Sequence, residues 1–332
     1  MTSHRFALRR ALVVLAVAAL CPLAATAQTT PTAKWPEKPI RLLVAGPAGG
    51  SADILARVLG DQLSKELGQP VVVEPKPGAG GVLAVNELSQ APRDGHTLLV
   101  AVNALVSEIP HIVKLKLDMA REITPLAELG RGGLVLVGNP GVPAKTLPEL
   151  LNHVKANPGK VNYASYSAGT SSHVLGLQLN QAAGIDMVHV GYKGSTPALQ
   201  DLMGGHVPLM FDGIATSLPH LKAGKIKAFA ISLPRRSALL PDVPTFTELG
   251  YPKMEAVAWM GLWSKPDVPA AVQAQVRAAA LKALAQPAVR DRLAEVGFEP
   301  GQPRSAEELS RGLKADFERM GALLKAIDFK PE

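Results

Sequence analysis

The sequence is poor in cysteine and in aromatic residues. Its single cysteine, Cys21, lies in an apolar N-terminal segment, so the rest of the chain can form no internal disulfide and depends on packing for stability. Only 4% of the 332 residues are aromatic, and the basic residues are scattered along the chain. A surface that stacks bases or follows phosphates needs both aromatic residues and clustered basic residues. The composition therefore argues against a disulfide scaffold and a nucleic-acid partner.

The first 27 residues have the pattern of an export signal. Arg5, Arg9 and Arg10 precede an apolar stretch that is shorter than the roughly 20 residues of a membrane span, and small residues end the segment at Ala27. We expect cleavage after Ala27, a periplasmic location, a polar leader at residues 28–34 and no membrane anchor. Without the three arginines, the 35 basic residues fall to 32 against 28 acids, so the mature chain is only mildly basic.

The remaining length and the apolar pattern predict a two-lobed α/β protein. About 305 residues follow the signal, which favours two lobes over a single core. Apolar runs at residues 40–44, 71–73 and 98–102 alternate with helical periodicity, as they do in a parallel sheet. Similar strand and helix units follow from residue 134, and we expect the C-terminal helices to pack on the first lobe.

The loop after the first predicted strand has the composition of an anion-binding site. Gly49 and Gly50 let the backbone approach a ligand closely, and Ser51 or Asp53 could cap the helix predicted from Ile54. The first amides of a helix have no partner within it, and together with the helix dipole they favour a carboxylate or phosphate. The same arrangement also occurs in plain strand-to-helix connections, so both interpretations stay open at this point.

Short motifs in a fixed order extend over most of the chain. They lie at residues 35–40, 46–53, 77–81, 94–97, 157–160, 188–190, 192–194, 211–212 and 240–245. In this order they resemble the tripartite tricarboxylate transporter substrate-binding proteins, also called the Bug family, and the resemblance covers residues 35–330.

The resemblance implies a type II periplasmic binding protein fold, in which two α/β lobes close on a ligand cleft. Lobe 1 would comprise residues 35–131 and 258–332, and lobe 2 residues 132–257. The implied function is capture of a small organic carboxylate, without turnover, and its delivery to membrane transporter subunits. A periplasmic sensor or docking protein that engages a signalling receptor is the alternative. We expect a monomer that uses no cofactor and no metal.

The resemblance also implies a binding site in which backbone amides and hydroxyls of two opposed loops hold the ligand carboxylates. The implied ligand-binding residues are Pro47, Ala48, Gly49, Gly50, Ser51, Ala79, Gly80, Asn103, Ser167, Ala168, Gly169, Thr170, Ser171, Ser172, Tyr192 and Asp212. The sequence departs from the usual family pattern at residues 44–53 and 101–105, which leaves the identity of the carboxylate open.

Individual residues in this set also have structural interpretations. Asp212 could cap a turn or a helix instead of contacting a ligand, and Tyr192 could pack between lobes. His173 lies beside Ser171 and Ser172, but the sequence has no nucleophile elbow, so a serine hydrolase is disfavoured. The histidines show no short metal-ligand spacing.

Overall fold

The computed structural model describes residues 35–326, and a compact unit begins at Pro36. The predicted signal, the predicted leader at residues 28–34 and residues 327–332 of predicted lobe 1 lie outside the described residues. Within residues 35–326, no helix combines the length and the apolar character of a membrane span.

The strands of the described chain are connected through their hydrogen bonds into one order. They are β1 (Ile40–Val44), β2 (Val71–Pro75), β3 (Thr97–Val102), β4 (Thr124–Gly138), β5 (Val161–Ser165), β6 (Met187–Gly191), β7 (Leu209–Gly213), β8 (Lys227–Ile231), β9 (Val257–Ser264) and β10 (Glu299–Pro300). The order is β2-β1-β3-β9-β4-β7-β5-β6, and β8 and β10 also pair with β4.

Helices follow most of these strands. They are α1 (Ser51–Leu67), α2 (Val82–Gln90), α3 (Ala104–Ser107), α4 (Met119–Glu122), α5 (Leu147–Lys155), α6 (Ser171–Ala183), α7 (Ser195–Gly204), α8 (Ile214–Lys222), α9 (Ala270–Ala285), α10 (Pro287–Glu295) and α11 (Ala306–Ala326). Short 3₁₀ turns occupy Ala79–Gly81, Ile109–His111 and Pro252–Met254.

The predicted parallel pairing is confirmed in both halves of the sheet. Strand β1 pairs in parallel with β2 and β3, and β5 pairs in parallel with β6 and β7. The carboxyl ends of β1, β2 and β3 therefore lie at one edge, where the loops that follow them come together. Helix α9 packs on α1, as expected for the C-terminal helices, and Lys282 Nζ lies 2.6 Å from Glu66 Oε2 between them.

Strand β4 is longer than the sequence pattern indicates. A strand was predicted only from Leu134, but β4 starts at Thr124, and its first part pairs antiparallel with β9 before its last part pairs with β7 and β8. Glycines usually interrupt a strand pattern. Here the lack of a side chain at Gly133 lets Leu233 pack against the strand, because a Cβ on Gly133 would lie 2.4 Å from Leu233 Cγ. The predicted lobe boundary at residues 131 and 132 falls inside β4, and the division into lobes stays a prediction.

Separate apolar clusters cover the sheet. Alternate residues of β4 point to opposite faces, as the pleat of a strand requires. Leu136 packs with Tyr163 and Phe211 on one face, whereas Val135 packs with Met210 on the other. A third cluster, around Leu43, Leu99 and Trp263, covers the β1, β3 and β9 part of the sheet. These cores hold the strand ends, and the loops attached to them, in fixed positions.

Candidate binding cavity

A cavity of about 100 Å³ lies where the loops after β1, β2, β5 and β6 meet the start of α8. Of the residues predicted to bind a ligand, Pro47, Gly50, Ser51, Gly80, Ser167 and Thr170 line it. The remaining predicted residues do not line it, and ligand contact by them stays a prediction: Ala48, Gly49, Ala79, Asn103, Ala168, Gly169, Ser171, Ser172, Tyr192 and Asp212.

Four helices that begin at the cavity have glycine as the N-cap residue. These glycines are Gly50 of α1, Gly81 of α2, Gly194 of α7 and Gly213 of α8, and no side chain caps any of the four. A 3₁₀ turn precedes α2, and the Val82 amide donates to the Ala79 carbonyl within it. At α1, α7 and α8 the N-cap residue thus supplies no side-chain acceptor at the cavity, which favours an anion there.

The loop before α1 is folded by its own carboxylate. Helix α1 begins at Ser51, three residues earlier than predicted, and neither Ser51 nor Asp53 caps it through a side chain. Instead, Asp53 Oδ2 accepts from the Gly49 amide at 2.8 Å and from Arg57 Nε at 2.9 Å. Gly49 has a φ of 73°, which favours glycine. Its amide is therefore used within the loop, while Gly50 and Ser51 border the cavity.

The loops on the two sides of the cavity contact each other directly. Thr196 Oγ1 donates to the Ala48 carbonyl at 3.0 Å. Gly194 has a φ of 118°, and a Cβ on it would lie 2.3 Å from Pro47 Cδ. A Cβ on Gly213 would similarly lie 2.7 Å from Ser51 Oγ. Glycine is required at these points because the two sets of loops approach each other closely, which also keeps the cavity small.

Asp212 lies behind the cavity wall and connects two of the helix starts. Its side chain is fully buried. Oδ1 accepts from the Ser195 hydroxyl of α7, while Oδ2 accepts from Thr216 Oγ1 at 2.6 Å and Ser217 Oγ at 2.7 Å, both on α8. Burial raises the pKa of Asp212, and these hydroxyl donors oppose that rise. These bonds connect Asp212 to α7 and α8, and ligand contact by Asp212 stays a prediction.

Other predicted residues also bond within the protein. Asn103 Oδ1 accepts from the Trp259 amide at 3.2 Å and joins the end of β3 to β9. The Tyr192 hydroxyl donates to Asp201 Oδ2 at 2.8 Å, and burial raises the pKa of Tyr192 to about 12. The Ser172 hydroxyl donates to the Phe211 carbonyl. These bonds hold the cavity walls in place.

The serines near His173 do not form a nucleophile and base pair with it. The Ser171 hydroxyl donates to Glu108, and His173 Nδ1 accepts from the Gly169 amide at 3.3 Å. The His173 ring stacks on His189 with 3.8 Å between ring centroids, and burial lowers their pKa values to about 3 and about 4. Among residues 35–326, no group of His, Cys, Asp or Glu side chains is arranged to hold a metal ion.

The sequence analysis missed several cavity residues. Gly213 is the last residue of β7 and lies directly before α8, as Gly50 lies directly before α1, so a glycine directly before a helix was the available signal. Lys193, in the quoted 192–194 motif, is the one fully charged side chain among the described residues that line the cavity. Phe298 and Met260 form apolar parts of the wall, and no local pattern marks them. The walls thus combine cationic, amide and apolar surfaces.

A second cavity, of about 820 Å³, lies beside α11, and its walls include Leu115, Leu117, Leu313 and Phe317. The start of α4 borders it, but Asp118 caps that helix, with Oδ1 accepting from the Ala120 amide at 3.1 Å. The smaller cavity is the better binding candidate because uncapped helix starts converge on it.

Comparison with known proteins assigns the family. The sequence profile described as "Tripartite tricarboxylate transporter family receptor" matches residues 55–329. The chain belongs to this family.

Solved structures of similar proteins have the same α/β architecture as this chain. One is the periplasmic binding protein BugD, with 29% identity, a TM-score of 0.84, and coverage of 90% of this chain and 100% of that chain. A second is a protein of R. palustris with adipate, with 26% identity, a TM-score of 0.86, and coverage of 90% and 100%. A third is MatC from Rhodopseudomonas palustris with bound malate, with 32% identity, a TM-score of 0.80, and coverage of 87% and 100%. The chain is therefore a Bug-type solute-binding protein with the periplasmic binding protein fold.

Proposed function

We propose that this protein captures a small organic carboxylate in the periplasm and delivers it to a membrane transporter of the tripartite tricarboxylate type. The observation that carries the proposal is that α1, α7 and α8, each with glycine as its N-cap residue, all start at one cavity. The structures of relatives with adipate and malate support a carboxylate as the ligand class.

In this proposal the lobes close by bending where β4 and β9 cross between them. Gly132 and Gly133 of β4 pair with Ala258 and Val257 of β9 at this position. Closure brings the starts of α7 and α8 against the loop before α1, so that amides from both lobes donate to the ligand. Each helix dipole contributes roughly 0.3–1 kcal/mol, and charge-assisted hydrogen bonds add to it. Lys193 at the cavity wall adds a full positive charge.

Thermal denaturation with a panel of mono-, di- and tricarboxylates tests the binding step. A ligand at 100 times its dissociation constant stabilises the folded protein by about 2.7 kcal/mol, which gives a measurable rise in melting temperature. No rise with any member of a broad panel contradicts the proposal. Recovery of the bound ligand unchanged after long incubation separates binding from catalysis.

Two glycine substitutions localise the site. Gly213→Ala adds a Cβ that lies 2.7 Å from Ser51 Oγ, so we expect at least tenfold weaker binding. Gly312→Ala is the matched control, because a Cβ on Gly312 has no heavy atom within 4 Å. Equal affinity in both variants places the ligand elsewhere.

Affinity capture from membranes tests the delivery step. The ligand-bound protein is expected to retain the membrane subunits of a tripartite tricarboxylate transporter. Retention of a sensor protein instead supports the signalling alternative. N-terminal sequencing of the exported protein tests the location, and a mature chain that starts at Gln28 is expected.

A further inference from the structure

Helix α6 starts near the same cavity, but a carboxylate of the protein already occupies its start. Both oxygens of Glu108 lie 2.8 Å from the Ser171 hydroxyl, which donates to this carboxylate. Ser171 is the first residue of α6, and its N-cap residue, Thr170, makes no side-chain cap. The Thr170 hydroxyl donates to the Ser167 carbonyl instead. Glu108 thus supplies the anion that this helix start attracts.

The backbone around Glu108 is packed tightly against the loop before α6. A Cβ on Gly169 would lie 3.1 Å from Ile109 Cα, and one on Gly80 would lie 2.8 Å from Ile109 Cδ1. Only 8% of Glu108 is exposed. Because its neighbour Ile109 is held between these glycines, Glu108 has little room to withdraw from Ser171 while the loops are in contact.

Few other charges act on Glu108. Asp316 and Arg319, both on α11, oppose each other in their effect on it, and Tyr166 is the titratable group on the β5 side. Burial raises the pKa of Glu108 to about 7, so the carboxyl group carries its negative charge above neutral pH. In that charged form it repels a second carboxylate at the same helix start.

We propose that Glu108 is a specificity-determining residue, because it places a carboxylate of the chain at the start of α6 and so keeps a ligand carboxylate away from that helix start. This inference rests on the proposed function. Its consequence is selectivity against ligands whose second carboxylate would reach the Ser167 to Ser171 loop. Replacing Glu108 with a neutral residue opens that helix start to a ligand anion.

Paired ligands of equal chain length test the inference by calorimetry at pH 8. Adipate is compared with hexanoate, and succinate with butyrate, on the wild-type protein and on Glu108→Ala and Glu108→Gln. We expect the affinity ratio of dicarboxylate to monocarboxylate to rise at least tenfold in Glu108→Ala for one pair. Glu108→Gln is expected to raise the same ratio, because it removes the charge while keeping the size and a hydrogen-bonding group. The control is Glu318→Ala, on the exposed face of α11.

The outcomes separate this inference from the proposed function. Carboxylate binding with ratios within twofold of wild type in both Glu108 variants overturns the role of Glu108 alone. A rise in Glu108→Ala without one in Glu108→Gln also overturns it, because packing and not charge then sets the ratio. Absence of carboxylate binding in every protein overturns both proposals. Circular dichroism verifies that each variant is folded.

Discussion

Burial of Glu108 makes the stability of the protein depend on pH in a predictable direction. The pKa of Glu108 is raised from 4.5 to about 7 in the folded protein. Between these values the folded state holds more protons than the unfolded state, so raising the pH favours unfolding. Each pKa unit corresponds to about 1.4 kcal/mol, which gives a loss of about 3 kcal/mol as the pH rises through this window. Above it, both states are deprotonated and the loss stops.

Glu108→Gln removes this dependence, because glutamine does not titrate. Urea unfolding of both proteins, followed by the fluorescence of the buried Trp259 and Trp263, measures the free energy of unfolding at pH 5 and pH 8. The change in this free energy from pH 5 to pH 8 is expected to be about 2 to 3 kcal/mol more negative in wild type than in Glu108→Gln. The same change in both proteins refutes the reasoning.

The contributions of other titrating groups to the pH dependence cancel when wild type is compared with Glu108→Gln. His173 and His189 have lowered pKa values of about 3 and about 4, so they act in the opposite direction and destabilise the folded state as the pH falls below about 6.5. Both histidines are present in wild type and variant alike. Glu318→Gln, at an exposed position on α11, serves as the control and is expected to keep the wild-type pH dependence.

Two further predictions concern the cavity walls. Gly194→Ala combines an unfavourable φ of 118° with a Cβ 2.3 Å from Pro47 Cδ, so calorimetry is expected to show at least tenfold weaker ligand binding. Unchanged affinity would contradict the contact between the loops. Asp212→Ala leaves the hydroxyls of Ser195 and Ser217 without their acceptor, while Thr216 keeps the Gly213 carbonyl, and is expected to lower the free energy of unfolding by roughly 3 kcal/mol. A loss below about 1 kcal/mol in urea unfolding would show that this network contributes little.

Local patterns were sufficient for most of the fold. Buried runs such as residues 40–44 predicted strands correctly, and strand–helix alternation predicted their parallel pairing. The first part of β4 was missed because its glycines interrupt the pattern, while pairing with β9 compensates for them. Tertiary pairing of this kind is not visible in a local window of sequence.

The candidate site was predictable only in part, because side-chain partners are distant in the sequence. Gly50 and Ser51 follow from local loop composition, and they line the cavity. The Glu108 and Ser171 pair spans 63 positions, and no feature of either residue indicates the other. The family resemblance predicted that the Ser167 to Ser172 loop binds the ligand. The resemblance does not indicate which helix starts interact with side chains of the protein itself.

Glycine at the starts of α1, α7 and α8 supplies no side-chain acceptor to the helix amides, whereas at α2, which also follows a glycine, the Val82 amide donates to the Ala79 carbonyl. At Asp118 and Thr146, the side chain itself accepts from a helix amide, which removes that amide from ligand binding. A glycine at the same position costs a helix only a few tenths of a kcal/mol, and the amide stays available for an anion. A glycine between a buried strand and a helix is thus a sequence signal for Gly213, as it was for Gly50. Helix α6 has threonine at this position, and the hydroxyl of its first residue, Ser171, donates to the chain's own Glu108.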